Sequence, residues 1–203
     1  MGNFLILDIE IQAIEEFLTK TLETVDTEVT HIFSQEKSGA FTGIDDFSNA
    51  LFFPLSREAI SFRAVFYELN AIVEWELQSV ASKVYKYSLR FKPPKSFADI
   101  TALDEVSRVK LVYDLPFNEI CKLITDYYKI NLSTLYGFEQ VQFIRQSTNA
   151  FKHRKGFKDI RRDKGSKLLE EFRMNRTDAY QAIESTKGFL KALWKALDSL
   201  ESL

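Results

Sequence analysis

The chain has 203 residues, of which 45 % are hydrophobic and 28 % charged, with eighteen Phe, eight Tyr and a single Cys. This is enough apolar material for one large domain with an aromatic-rich core and too much for a disordered chain, and a lone cysteine excludes an internal disulfide or a cysteine-rich metal site. The net charge of −2 conceals an asymmetry: residues 1–80 hold four basic and fourteen acidic side chains (−10), residues 81–203 twenty-three basic and fifteen acidic (+8). A chain so divided either turns a basic face to phosphate or pairs its own halves.

The first segment, "MGNFLILDIEIQ", lacks the basic start and long apolar run of a secretory signal. Ile6 stands where a myristoylation motif needs Ser or Thr. No window reaches the ~18 consecutive apolar residues of a membrane span. With the reducing compartment that one cysteine suggests, these features lead us to expect a cytoplasmic protein with no membrane partner. Over residues 8–25, Ile9, Ile11, Ile14, Phe17, Leu18 and Leu22 form a mainly helical stripe. Residues 31–55 then lose period around Gly39 and Gly43, which reads as an irregular connection with a short strand or hairpin. Pro54 and Ser56 open a long helix over 56–88, whose apolar residues from Ile60 to Val84 spread over much of its circumference, so neighbours are expected on several sides.

Pro93 and Pro94 break that helix, and a shorter one is expected over 103–113. After Pro116 an amphipathic helix carries Ile120, Leu123, Ile124 and Tyr127 on one side. The next runs over about 138–154 and ends at Gly156 as a C-terminal cap. The last covers 177–203, capped by Thr177 or Asp178, with Tyr180, Ile183, Phe189, Leu190, Leu193, Trp194, Leu197 and Leu200 directed to the core. The fold class is therefore all-α: a helical bundle over 56–203, preceded over 1–55 by an N-terminal helical extension and the irregular connection.

One helix carries a chemical pattern. In "IRQSTNAFKHRKGF", Arg145, Asn149 and His153 recur every four residues. Each step turns a helix by ~400°, so the three side chains drift by only ~40° per step and share one sector. A guanidinium, an amide and an imidazole in line suit a phosphodiester, the first for charge, the second for orientation and the third for proton transfer. The bland counterpart is a histidine that merely complements the negative end of its helix. From Lys152 to Lys167 there are eight Lys or Arg against Asp159 and Asp163. Such a cluster is either an RNA-contacting rim, through Lys152, Arg154, Lys155, Lys158, Arg161 and Arg162, or a solvated loop balancing the acidic half.

"RQSTNAFKHRKG" resembles the signature helix of the HEPN superfamily, in which Asn and His stand four apart on a late bundle helix. Upstream, "ISFRAVFYELNAIVEWEL" with Glu74 is similar to that superfamily's long early helix, which carries an acidic residue among apolar ones. The resemblance implies an HEPN-like bundle, commonly a metal-independent endoribonuclease of the toxin or defence type, needing no cofactor and no metal. It also implies a homodimer that assembles the site from two copies of this helix, with RNA as substrate and an antitoxin or other protein as partner. Carried over, His153 would assist attack by the 2′-hydroxyl or protonate the leaving 5′-oxygen, Arg145 would steady the scissile phosphate, and Asn149 would orient His153 or bind the backbone. The pattern departs from the family in one respect. Seven residues separate Arg145 from His153, more than usual, and the position before Asn149, where Arg is commonest, is Thr148. Arg145 then acts from one turn earlier, or Arg154 or Lys155 replaces it, or the module is non-catalytic and binds a partner or nucleotide.

The remaining candidates read as structural. His31 has no partner identifiable by spacing, and Cys121 lies on the apolar side of its helix. Glu15/Glu16 and Asp45/Asp46 fall in exposed-looking contexts. There is no phosphate-binding Gly loop, HExxH or nucleophile elbow.

Overall fold

A computed structural model describes residues 2–85, 112, 115–154, 156 and 174–201. Among them are five α-helices and no strand: α1 (Gly2–Lys37), α2 (Ile44–Tyr85), α3 (Phe117–Tyr128), α4 (Phe138–Arg154) and α5 (Arg176–Glu201). A single 3-10 turn, Leu132–Thr134, joins α3 to the approach of α4. The helix expected over 103–113 falls outside the described residues, except for Val112, which is buried.

α2 is the central rod, packed against α1, α3, α4 and α5. Phe62, Phe66, Leu69, Val73, Leu77 and Val80 are all buried in its middle and C-terminal part. This accounts for the many-sided apolar pattern: a helix with neighbours on several sides needs apolar residues on several sides. α5 lies antiparallel to α1, and three polar contacts fix their register. Lys187 Nζ meets Asp8 at 2.7 Å, the hydroxyls of Tyr180 and Thr19 are 3.0 Å apart, and Arg176 reaches Asp26. Buried Leu7, Ile11, Leu18 and Leu22 of α1 belong to the same core cluster as Phe189, Leu190 and Leu193 of α5. The expected boundary at residue 55 thus lies inside α2, and the N-terminal helix contributes to the common core.

Three local expectations are corrected. The irregular connection spans only Ser38–Gly43; residues 31–37 complete α1 and residues 44–55 begin α2, which runs through Pro54. Periodicity was lost there because the start of α2 is apolar on both its inner and outer sides, with Pro54 buried but Phe52, Phe53 and Leu55 exposed. In α1, Ile9 and Phe17 are 59 % and 49 % exposed, so the buried stripe runs through Leu7, Ile11, Leu18 and Leu22. The cap of α5 is Asn175: its Oδ1 accepts from the Asp178 amide at 2.9 Å, while Asp178 Oδ2 accepts from the Asn175 amide at 3.0 Å. This reciprocal pair satisfies two backbone donors at the helix entrance.

α1 and α2 form a hairpin longer than the bundle. Arg176, opening α5, makes two hydrogen bonds to Asp26, at 2.8 and 2.6 Å, and one to Glu58 at 2.5 Å. Beyond this clamp the two helices, among the described residues, touch mainly each other. Arg57 pairs with Glu28 at 2.6 Å, and the rings of Phe33 and Phe41 pack edge-on against Phe47. Between Asp26 and Ile60, Pro54 is the one fully buried residue.

Candidate functional site

α4 runs antiparallel to α2 and buries Val141, Ile144, Ser147, Thr148 and Ala150. Thr148 sets how closely the helices approach, its hydroxyl donating to the Phe66 carbonyl of α2 at 3.3 Å in a buried contact. Phe143 adds an edge-on ring contact to Phe66, with centroids 5.9 Å apart. At the other end Gly156 turns the chain away with φ +93, and its amide donates to the Ala150 carbonyl at 2.9 Å. A Cβ there would stand 2.7 Å from the Phe151 ring. The expectation that this helix ends at Gly156 thus has a physical basis in both torsion and space.

The polar sector holds Arg145, Asn149 and His153 in graded exposure. Arg145 is only 23 % exposed in its side chain; Asn149 is half-buried; His153 is exposed in the last turn. Arg145 lies between three elements. Its guanidinium carbon stands 4.5 Å above the Phe117 ring of α3, and its Nε is 3.8 Å from Glu74 Oε1 of α2. The latter is a charge contact rather than a hydrogen bond, since buried Nε has no hydrogen-bond partner. The two segments that carry the family resemblance therefore meet here, Glu74 from the early helix against Arg145 from the late one.

The same geometry separates Arg145 from His153. Eight residues of helix place their backbones ~12 Å apart along the axis, and the guanidinium is held at the α3 side by Phe117 and Glu74. Cys121 of α3 adjoins this end: burial pushes its thiol up to about 11, with the positive charge of Arg145 opposing. Cys121 is accordingly a protonated packing residue at neutral pH and not a nucleophile. Thr148, where the family more often has Arg, points into the α2–α4 contact, so an arginine there would have to displace the core.

Around His153 the surface is basic and aromatic. Lys152 is exposed, with its ammonium 6.0 Å from the Tyr67 ring centroid, and Arg63 of α2 lies 5.6 Å over Phe151. Of the predicted RNA-contacting residues, only Lys152 has a described side chain. The side chain of Arg154, together with Lys155, Lys158, Arg161 and Arg162, lies outside the described residues. Sequence reasoning missed the aromatic partners Phe117 and Tyr67, which come from other helices and have no spacing relation to α4.

Elsewhere, His31 is exposed on the projecting part of α1. Among the described residues, no group of three or more His, Cys, Asp or Glu could hold a metal ion. No helix of the described residues is long and apolar enough to cross a membrane. No protein-family model, curated protein or solved structure matches the chain.

Proposed function

We propose that this chain is an HEPN-like RNA-binding protein whose contact surface begins at the exposed end of α4. The observation that carries this reading is the exposure of Lys152 and His153 in the last turn of a helix whose same sector continues through Asn149 to the Glu74–Arg145 pair. Lys152 offers a phosphate contact, Tyr67 beside it a face for a base, and His153 and Asn149 groups that donate to backbone oxygens. In the catalytic form of this reading, two copies of α4 meet in a homodimer, and His153 moves a proton at the 2′- or 5′-oxygen. The non-catalytic form, in which the module binds RNA, a nucleotide or a protein partner such as an antitoxin, is favoured by the engagement of Arg145. A guanidinium stacked on Phe117 and facing Glu74 is not free to clasp a phosphate beside His153.

Fluorescence anisotropy with labelled single-stranded and hairpin RNA, at two salt concentrations, tests the surface. Lys152→Ala should weaken binding several-fold and reduce the salt slope by ~0.7 for a single strand. Equal binding by wild type and a Lys152→Ala/His153→Ala variant would remove this reading. Incubation with RNA in EDTA separates its two forms. Cleavage lost in His153→Ala selects the nuclease, and intact RNA at binding saturation selects the non-catalytic module.

A further inference from the structure

The outer side of the first half of α2 is apolar and, among the described residues, uncovered. Phe52 is 63 % exposed, Phe53 71 %, Leu55 49 % and Ile60 55 %. Beside the Phe52 ring runs a groove of about 470 Å³ lined by Ser48, Leu51, Phe52, Leu55, Ser56 and Ala59. The four large side chains expose on the order of 400 Å² of apolar surface, taking ~200 Å² for each ring, which is at the upper end of what monomers present in one patch. This is about half of the ~800 Å² that each partner contributes to a standard interface.

The order of residues along this face identifies its occupant. At helical spacing it reads Asp45, Ser48, Phe52, Ser56, Ile60, Arg63: acid, small, large, small, large, base. Reversed and laid on itself about Pro54, the row matches Phe52 to Ser56, Ile60 to Ser48 and Asp45 to Arg63. Each large side chain then faces a small one, and each end pairs opposite charges. A row complementary to its own reverse is the property that a two-fold, isologous contact requires, in which residue i meets j and j meets i. Among the described residues, exposed Asp45 has no ion pair, and half-buried Arg63 has its guanidinium against Phe151 and no carboxylate partner.

We infer that this face docks a second copy of the chain, antiparallel across the two-fold axis near Pro54, so that two projecting hairpins form one four-helix unit. Phe52 of each copy enters the groove between Ser56 and Ala59 of the other. This contact is distinct from any meeting of α4 helices and does not rest on the RNA reading.

Sedimentation equilibrium on the full chain, with circular dichroism as a folding control, tests it. Wild type should sediment at twice 23.6 kDa, or at four times if the α4 helices also pair, and Phe52→Glu should be folded with half the wild-type mass. Asp45→Arg alone should raise the dissociation constant at least tenfold, and Asp45→Arg/Arg63→Asp should restore most of it. A wild type that is monomeric at high micromolar concentration overturns the inference. So does a Phe52→Glu variant with the same mass as wild type, or a charge-swapped double variant no tighter than Asp45→Arg.

Discussion

Arg176 holds Asp26 and Glu58 together, and Asp26 answers electrostatically. Its carboxyl is held below the usual range, chiefly by the hydrogen bonds from Arg176, against a smaller opposing effect of desolvation. A carboxylate whose folded pKa is depressed contributes stability that is fully present above its unfolded value of ~3.9 and is lost as pH falls through the folded value. Thermal melts from neutral pH downward should show wild type above Asp26→Asn at neutrality, with the gap closing below about pH 4. A constant gap would mean that Asp26 acts through packing alone. Gly156 supplies a second residue-scale prediction. Gly156→Ala must place a Cβ at φ +93, 2.7 Å from Phe151, and should lower unfolding free energy by about 1–2 kcal/mol in a urea titration. Some of this scale was legible beforehand: the glycine stop was, and so were Arg145, Asn149 and His153 as a shared sector. That Arg145 is spent on Phe117 and Glu74 was not, because helix spacing says nothing about which neighbour a helix crosses.

At the scale of the element, three of the five helices could be read from periodicity and punctuation. Pro116 starts α3 and Gly156 follows α4, while α5 was legible from its apolar period although its cap is Asn175 and not Thr177 or Asp178. The failure over residues 31–55 has a definite cause. A helix that buries one side against α1 and leaves a second apolar side exposed shows no single stripe, and Pro54 imitates a boundary although its ring sits on the buried side. Burial also ranks substitutions along α2. Leu69 is fully buried amid the bundle, and Leu69→Ala should cost about 2–5 kcal/mol through lost transfer energy and an unfilled cavity. Leu55→Ala, half-exposed outside the bundle, should cost well under 1 kcal/mol in a monomer. Denaturant titrations at a concentration that dissociates any dimer give both numbers, and equal costs would contradict the core assignment.

For the whole molecule, periodicity anticipated the architecture better than the division into parts. A succession of helical periods indicated an all-helical bundle, and the described residues form one. The proposed extension, however, supplies Leu7, Ile11, Leu18 and Leu22 to the shared core. A fragment beginning at residue 56 should therefore expose the surfaces of α2 and α5 that α1 covers. We expect it to lack a cooperative thermal transition, and a sharp melt near that of the full chain would restore residues 56–203 as an independent domain. The charge asymmetry between the halves was legible as a number, and part of it resolves into contacts. Asp8 with Lys187, Asp26 and Glu58 with Arg176, and Glu74 with Arg145 each join an acid of the first 80 residues to a base of the rest.

The Arg176 clamp also divides two helices that are unbroken in outline. On one side of it α1 and α2 are covered by several neighbours. On the other, ~16 Å of α1 beyond Asp26 is covered, among the described residues, chiefly by α2, and Pro54 deprives α2 of a hydrogen bond close to the dividing line. In a monomer, backbone amides of residues 28–37 and 46–53 should thus exchange with deuterium through a local opening, orders of magnitude faster than those of 62–80. Along each of these rods the chain is continuous in geometry and discontinuous in cooperativity.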